Sequence, residues 1–257
     1  MLEIRHRALH DGQSIQDAYD DLFQTRNLLM RDSFYLWLIE LLGPPPGSTL
    51  LDVACGNGRL VELAAEQGIR AMGVDLSFEG LLHGSADASP AQWIVGDGQI
   101  IPFPAGSVDF VMSIGSLEHY DNPLQGVREI ARVLKPHGRA CILLPNMFGL
   151  MGNIRYVRRT GEVFDDEQPR QRYATRATWQ TMLEMGGLLI DEVVPWGEVT
   201  RPRTTRDWIW SALRPQKALR GAVAAITPLN LANHFIFLAR PGRVSTAPVY
   251  YPMLSWS

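Results

Sequence analysis

Through residues 16–42 apolar side chains recur mostly every three or four positions, at Tyr19, Leu22, Phe23, Leu29, Met30, Phe34, Leu38 and Leu42. That spacing places them on one face of an amphipathic helix, or of two in succession. Gly43-Pro44-Pro45-Pro46-Gly47 ends the pattern, because three prolines remove backbone donors and fix φ. The period then changes. Ser48–Cys55 is a short apolar run and predicts a strand; Arg59–Gln67 carries Leu60, Leu63 and Ala64 on one helical face and stops at Gly68. The alternation repeats with strands over Ile69–Leu76, Ala91–Gly96, Val108–Ile114 and Arg139–Leu144, and helices over Phe78–His83 and Pro123–Leu134. Five strands alternating with helices predict a doubly wound α/β fold, and their near-continuous apolar runs predict parallel strands covered on both faces.

Beyond Pro145 the pattern weakens. Residues 146–174 contain glycines, the acidic run Asp165-Asp166-Glu167 and five arginines, and are expected to pass over the carboxyl edge of the sheet. A helix is expected over Thr178–Met185, and final strands over Leu188–Val194 and His234–Leu238, separated by an insertion at 200–230 with Trp208 and Trp210. The aromatic tail, YYPMLSWS, is suited to docking on the body or on a second copy, which would make a homodimer.

Composition narrows the class. A chain of 257 residues that is 46% hydrophobic and 20% charged buries a sizeable core and is not expected to be disordered. Its two cysteines, Cys55 and Cys141, form neither a disulfide framework nor a zinc cluster and suit a reducing compartment. No run of 18 apolar residues occurs, and Glu3, Arg5, Arg7 and Asp11 stand where a signal peptide would need apolar residues. A cytoplasmic protein without a membrane span is expected. The net charge of −3 divides unevenly: residues 1–150 carry −8 and residues 151–257 carry +5, nearly all of the latter as arginine. Arginine suits fork-like binding of carboxylate or phosphate, although a solvated arginine-rich surface would look the same.

The most informative stretch is Leu50–Leu60, LLDVACGNGRL, a strand, a turn of small residues and a helix. Gly56 and Gly58 allow close approach of backbone to a ligand. Asp52 ends the first strand, Asp75 the second, and Asp97 follows the third. Three carboxylates at successive strand ends meet at the crevice where open α/β sheets bind ligands. A nicotinamide dehydrogenase would place a third glycine where Val61 stands.

These motifs resemble those of class I S-adenosylmethionine-dependent methyltransferases. Asp52-Val53-Ala54-Cys55-Gly56-Asn57-Gly58 is similar to the family's acidic first motif, with Ala54 in place of the first glycine, and Pro102–Leu117 and Leu134–Gly138 resemble later signatures. The resemblance implies a Rossmann-like seven-stranded sheet, mostly parallel with the last strand antiparallel, and helices on both faces. It implies S-adenosylmethionine as cofactor, with the backbone of Ala54 and Gly56 on its methionine part and Asp75 on both ribose hydroxyls. Leu76 would lie on an adenine face, Asp97 and Gly98 on the adenine edge, and Ser113 and Ile114 on the amine side. Tyr19 would close over the cofactor, and residues 1–47 would form a helical cap on a 48–257 methyltransferase domain with acceptor-side insertions near 146–176 and 200–230.

Methyl transfer needs in-line approach of the acceptor and, at oxygen or nitrogen, a route for its proton. His119, after the fourth strand, has a suitable pKa for a base, and Glu118 beside it could bond backbone or the cofactor amine; the pair could equally structure the loop. No Asn/Asp-Pro-Pro-Tyr element follows that strand, which reads SIGS, arguing against the amino-methylating branch that uses it. His6 and His10 lack further ligands, so no metal is expected. Arg155, Arg158, Arg159, Arg170, Arg172, Arg176, Arg201, Arg203 and Arg206 point to an anionic small-molecule acceptor, and the acidic chain without an RNA-binding module points away from nucleic acid. O-methylation of an anionic or natural-product metabolite is expected; C- or N-methylation of a lipid or polyketide-like scaffold, and a non-catalytic cofactor-binding scaffold, are the alternatives.

Overall fold

The computed structural model describes residues 1–5, 14–25, 30–84, 91–165, 168–198 and 226–242, with isolated residues of the 199–225 segment. The chain begins with a strand, β1 (Leu2–Arg5), followed by helices α1 (Ile15–Thr25) and α2 (Asp32–Leu42), so the periodic stretch is two helices. Gly43, at φ 71, closes α2 by donating its N–H to Ile39. The alternation then unfolds as β2 (Thr49–Val53), α3 (Arg59–Ala65), β3 (Arg70–Asp75), α4 (Phe78–Gly84), β4 (Gln92–Val95), β5 (Val108–Ile114), α5 (Pro123–Val133) and β6 (Leu134–Pro145). Asn122 caps α5 by accepting from Gln125 N, and Pro123 takes the first helical position, where no donor is needed.

The seven-stranded sheet runs β4-β3-β2-β5-β6-β9-β8, where β8 is Leu188–Trp196 and β9 is His234–Pro241. Strands β2 to β6 are parallel, and β9, the last, lies antiparallel between β6 and β8. The sheet separates two apolar layers. Leu51, Val111, Ile142 and Phe237 pack with Val127 and Ile130 of α5 on one side; Leu50, Met112, Cys141 and Ile236 pack with Leu38 of α2 and Leu60 of α3 on the other. Adjacent residues of β2, Leu50 and Leu51, are thus both fully buried, as expected of a central parallel strand. The Leu134–Gly138 signature lies inside β6, which starts five residues earlier than the apolar run at Arg139. Leu134 pairs with Val108 and Arg139 with Phe110, so the intervening residues bulge out of register, and Lys135 Nζ reaches Asp109 Oδ1 at 2.7 Å.

Residues 146–176 are more ordered than expected. They contain α6 (Asn153–Thr160) and β7 (Arg170–Tyr173), followed by α7 (Arg176–Met185). Strand β7 pairs antiparallel with β1, Leu2 opposite Tyr173 and Arg5 opposite Arg170. Periodicity predicted neither strand, because each is only four residues long and its pairing partner lies more than 160 positions away.

Candidate active site

Ala54, at φ 59, turns the chain sharply after β2, and its N–H and that of Cys55 both donate to Val74 O, at 2.8 and 3.1 Å. Gly58, at φ 73, could carry no side chain: a Cβ there would lie 1.9 Å from the Trp93 ring. The turn brings Gly56 N to 2.7 Å from Asp75 Oδ2, while Ser77 N donates to Asp75 Oδ1 at 2.8 Å. Burial pushes the Asp75 carboxyl up to about 6, against the lowering effect of the Ser77 and Gly56 amides.

This turn opens onto a cleft of ≈ 1610 Å³ along the carboxyl edge of the sheet. Tyr19, Ala54, Gly56, Asp75, Leu76, Asp97, Gly98, Ile114 and His119 all line it. Asp52 and Ser113 do not. Asp52 is buried behind the turn, its carboxyl held well above the usual range by burial and by the charge of Asp75. Ser113 is buried and shares a 2.7 Å hydrogen bond with Ser116, which does reach the cleft.

Helix α1 covers one end. Asp20 accepts from Ser77 Oγ at 2.5 Å and Glu79 N at 3.2 Å, fastening α1 to the start of α4. Phe23 then lies across the glycine turn, within 3.2 Å of the Cβ position on both Gly56 and Gly80. Asp97 accepts from Gln99 N at 2.8 Å, and Tyr120 packs its hydroxyl against Gly98, where a Cβ would collide with it.

The other end is aromatic and basic. Phe34 stacks on Trp196 at 4.3 Å, Tyr156 meets Phe164 edge-on at 5.4 Å, and Arg155 and Arg159 stand exposed on α6; all six residues line the cleft. The other arginines of this region serve the fold. Arg170 pairs with Asp121, Arg176 bonds Asn230 and Gln180, and Arg172 is buried against the carbonyls of Glu118, Tyr120 and Asp121. Arg158 does not reach the cleft. Arg201, Arg203, Arg206, Trp208, Trp210, the aromatic tail and the His6/His10 pair lie outside the described residues. Among the described residues no group of three His, Cys, Asp or Glu could hold a metal, and no helix is long and apolar enough to cross a membrane.

His119 Nδ1 lies 2.5 Å from Arg170 O, which fixes the tautomer as the Nδ1–H donor, and Nε2 stands 4.0 Å from Glu118 Oε1. A second imidazole, His234, lines the cleft with Glu198 and Trp196. Sequence reasoning placed His234 at the start of a strand without assigning it to a site. The signal was available: an antiparallel strand starts at the edge where its parallel neighbour ends, so the first residue of β9 sits beside Pro145.

The cleft fits a ligand rich in hydroxyl donors that carries a cationic centre. Asp75, Asp97 and Glu118 line it, Gly56 and Gly98 leave room for close approach, and the arginines that line it among the described residues, Arg155 and Arg159, are on α6. The family described as "Methyltransferase domain" matches residues 51–142. The chain is 35% identical over 107 residues to the ubiquinone biosynthesis O-methyltransferase of Bordetella avium, covering 40% of this chain and 44% of that protein. It is 29% identical over 127 residues to the 27-O-demethylrifamycin SV methyltransferase of Amycolatopsis mediterranei, covering 45% and 47%. The match thus spans less than half the length of either relative. The crystal structure of an S-adenosylmethionine-dependent methyltransferase from Mesorhizobium loti superposes with a TM-score of 0.59 at 17% identity, over 81% of this chain and 97% of that one.

Proposed function

We propose that this chain, a class I S-adenosylmethionine-dependent methyltransferase with S-adenosylmethionine as its cofactor, methylates a small-molecule acceptor, at an oxygen of an anionic aromatic metabolite. One observation carries the reading: a single continuous cleft joins a carboxylate-lined end under α1 to an aromatic end flanked by Arg155 and Arg159.

On this reading Asp75 accepts from both ribose hydroxyls with the lone pairs its amide partners leave free, and Leu76 lies on the adenine, whose edge meets Asp97 and Gly98. The backbone of Ala54 and Gly56 meets the methionine part, and Ile114 and Ser116 border its amine, with Ser113 supporting Ser116 from below. Tyr19 and Phe23 exclude water from above. When bound, the cofactor supplies an electrophilic methyl on a sulfonium. The protein's part is to hold the acceptor oxygen in line and to take its proton on one of two cleft imidazoles, His119 or His234. Residues 1–47 would act as the cap, and 146–176 as an acceptor-side insertion of the 48–257 domain; the expected 200–230 insertion lies largely outside the described residues. The relatives support a small-molecule acceptor by their names: a ubiquinone biosynthesis O-methyltransferase and a demethylrifamycin methyltransferase.

The test is thermal stabilisation by S-adenosylhomocysteine, followed by methyl transfer from labelled cofactor into a metabolite extract. An undiminished shift in Asp75→Ala contradicts the assigned cofactor geometry. A shift without transfer to any extract component leaves a cofactor-binding scaffold instead of an enzyme.

A further inference from the structure

His234 opens β9 at the carboxyl edge of the sheet, opposite Pro145 of β6 and Trp196 of β8. Its side chain is 24% exposed, against 8% for His119. Nδ1 is buried, has no hydrogen-bond partner among the described residues, and stands 3.9 Å from Glu198 Oε1. The neighbouring backbone is unusual: Glu198 adopts φ 62, a left-handed conformation that residues with a Cβ rarely take. A buried amide fixes the same carboxylate, since Asn233 Nδ2 donates to Glu198 Oε1 at 3.1 Å while its Oδ1 accepts from Met151 N. A strained turn and a buried side chain therefore aim one carboxylate at one imidazole, and strain of this kind persists where the surroundings enforce it and function retains it. The assigned cofactor contacts use none of these groups.

We propose that His234 is the base that accepts the acceptor's proton, that Glu198 is its positioning residue, and that the acceptor is a hydroxyl on the ring of an aromatic acid. The inference rests on the methyl-transfer reading above. With Nδ1 turned toward Glu198, Nε2 is the ring nitrogen left for a ligand. The hydroxyl proton passes to Nε2 as the oxygen–methyl bond forms and the carbon–sulfur bond of the sulfonium breaks, and the new imidazolium charge is offset by the Glu198 carboxylate. Burial keeps His234 neutral beforehand and Glu198 favours its charged form; the other close neighbours, Pro145, Trp196 and Asn233, carry no charge. His119 also stands near a carboxylate, but both of its ring nitrogens face the protein, Nδ1 on Arg170 O and Nε2 4.0 Å from Glu118 Oε1, and its side chain is only 8% exposed. Trp196, buried and backed by Phe34, packs its ring 5.1 Å from that of His234 and holds the imidazole in place; the exposed rings of Tyr156 and Phe164 offer the cleft's apolar surface to an aryl ring, and Arg155 and Arg159 supply cations for its carboxylate.

The experiment uses the full chain with 4-hydroxybenzoate and 3,4-dihydroxybenzoate as probes, labelled cofactor, and the S-adenosylhomocysteine thermal shift as a measure of folding and cofactor binding. The expected result is methylation by wild type, a loss of about 100-fold in kcat in His234→Gln with the thermal shift kept, and a smaller loss in His119→Gln. In Glu198→Gln the acid limb of the kcat–pH profile moves to lower pH, because the charge favouring the imidazolium is gone. Should His234→Gln fail to fold, Glu198→Gln, at a half-exposed position, carries the test alone. Turnover of His234→Gln within threefold of wild type, or an unmoved acid limb in Glu198→Gln, overturns the assignment. A wild type that binds S-adenosylhomocysteine but methylates neither probe overturns the acceptor class and the assignment with it. Loss of the wild-type thermal shift overturns the cofactor reading beneath both.

Discussion

The Arg172 guanidinium meets the Glu3 carboxylate at 2.7 Å across the β1–β7 ribbon, joining the first strand of the chain to the loop that carries His119. The same guanidinium donates to Glu118 O at 3.2 Å, to Tyr120 O, and to Asp121 O at 3.3 Å. Four acceptors thus converge on one buried cation, and His119 is held from the same strand through Arg170 O.

Replacing Arg172 by Leu strips these carbonyls of their donor inside the protein. We expect a loss of about 3–5 kcal/mol, since each buried carbonyl left without a donor costs about 1–3 kcal/mol, read from denaturant unfolding. Glu3→Gln, on the more exposed partner, should cost under about 1 kcal/mol. A loss below about 1 kcal/mol for Arg172→Leu would show that the loop holds its shape without the clasp.

Asp75 gives a pH dependence with a defined sign. Its carboxyl sits at about 6 in the folded protein, and hydroxyl donors need it ionised. Affinity for S-adenosylhomocysteine should therefore hold above pH 6 and fall below it, by up to about tenfold per pH unit, in titration calorimetry from pH 8 to 5. The folded pKa is raised above the ordinary aspartate value of 3.8, so its stability contribution is present below about pH 4 and lost as pH rises through 6. The apo protein should lose about 3 kcal/mol across that interval from this group. In Asp75→Asn both dependences should flatten.

Much of this was legible in the chain because its sheet is mostly parallel. Runs such as Thr49–Val53 and Val108–Ile114 are buried on both faces and flanked by glycine turns, so composition alone marks them, and topology then places Asp75 and Asp97 on one rim. Asp52 reads like the other two strand-end carboxylates, yet strand pleating turns it behind the wall, and motif spacing does not report side-chain direction. The arginine cluster misleads for a related reason. Count and charge do not distinguish Arg172, spent on three loop carbonyls, from Arg155, which faces the cleft. The β1–β7 ribbon and the Glu198–His234 pair depend on long-range pairing and on one left-handed turn, neither of which leaves a periodic trace.

Phe23 couples the cap to the glycine turn through contacts near Gly56 and Gly80. Truncation to Ala removes that cover while Asp20 still fastens α1 to α4. Affinity for S-adenosylhomocysteine should fall about 10-fold, corresponding to roughly 1.5 kcal/mol of lost apolar contact, with a faster off-rate in stopped-flow measurements. Unchanged affinity would place α1 away from the bound cofactor.

Arg155 and Arg159 make the charge argument for the acceptor testable apart from the cofactor, because both line the aromatic end of the cleft whereas Arg158, on the same helix, does not. Reversal to Arg155→Glu/Arg159→Glu should raise the KM for a hydroxybenzoate probe by about 10-fold or more, with the S-adenosylhomocysteine shift unchanged and the penalty shrinking as salt screens these exposed groups. Arg158 and Arg159 both occupy the last turn of α6, where a cation favours the helix by about 0.5 kcal/mol, so Arg158→Glu supplies the matched control for helix destabilisation. If Arg158→Glu raises KM as much as the double reversal, the effect is one of helix stability and general surface charge. If it does not, the carboxylate of the acceptor is read at the α6 face of the cleft.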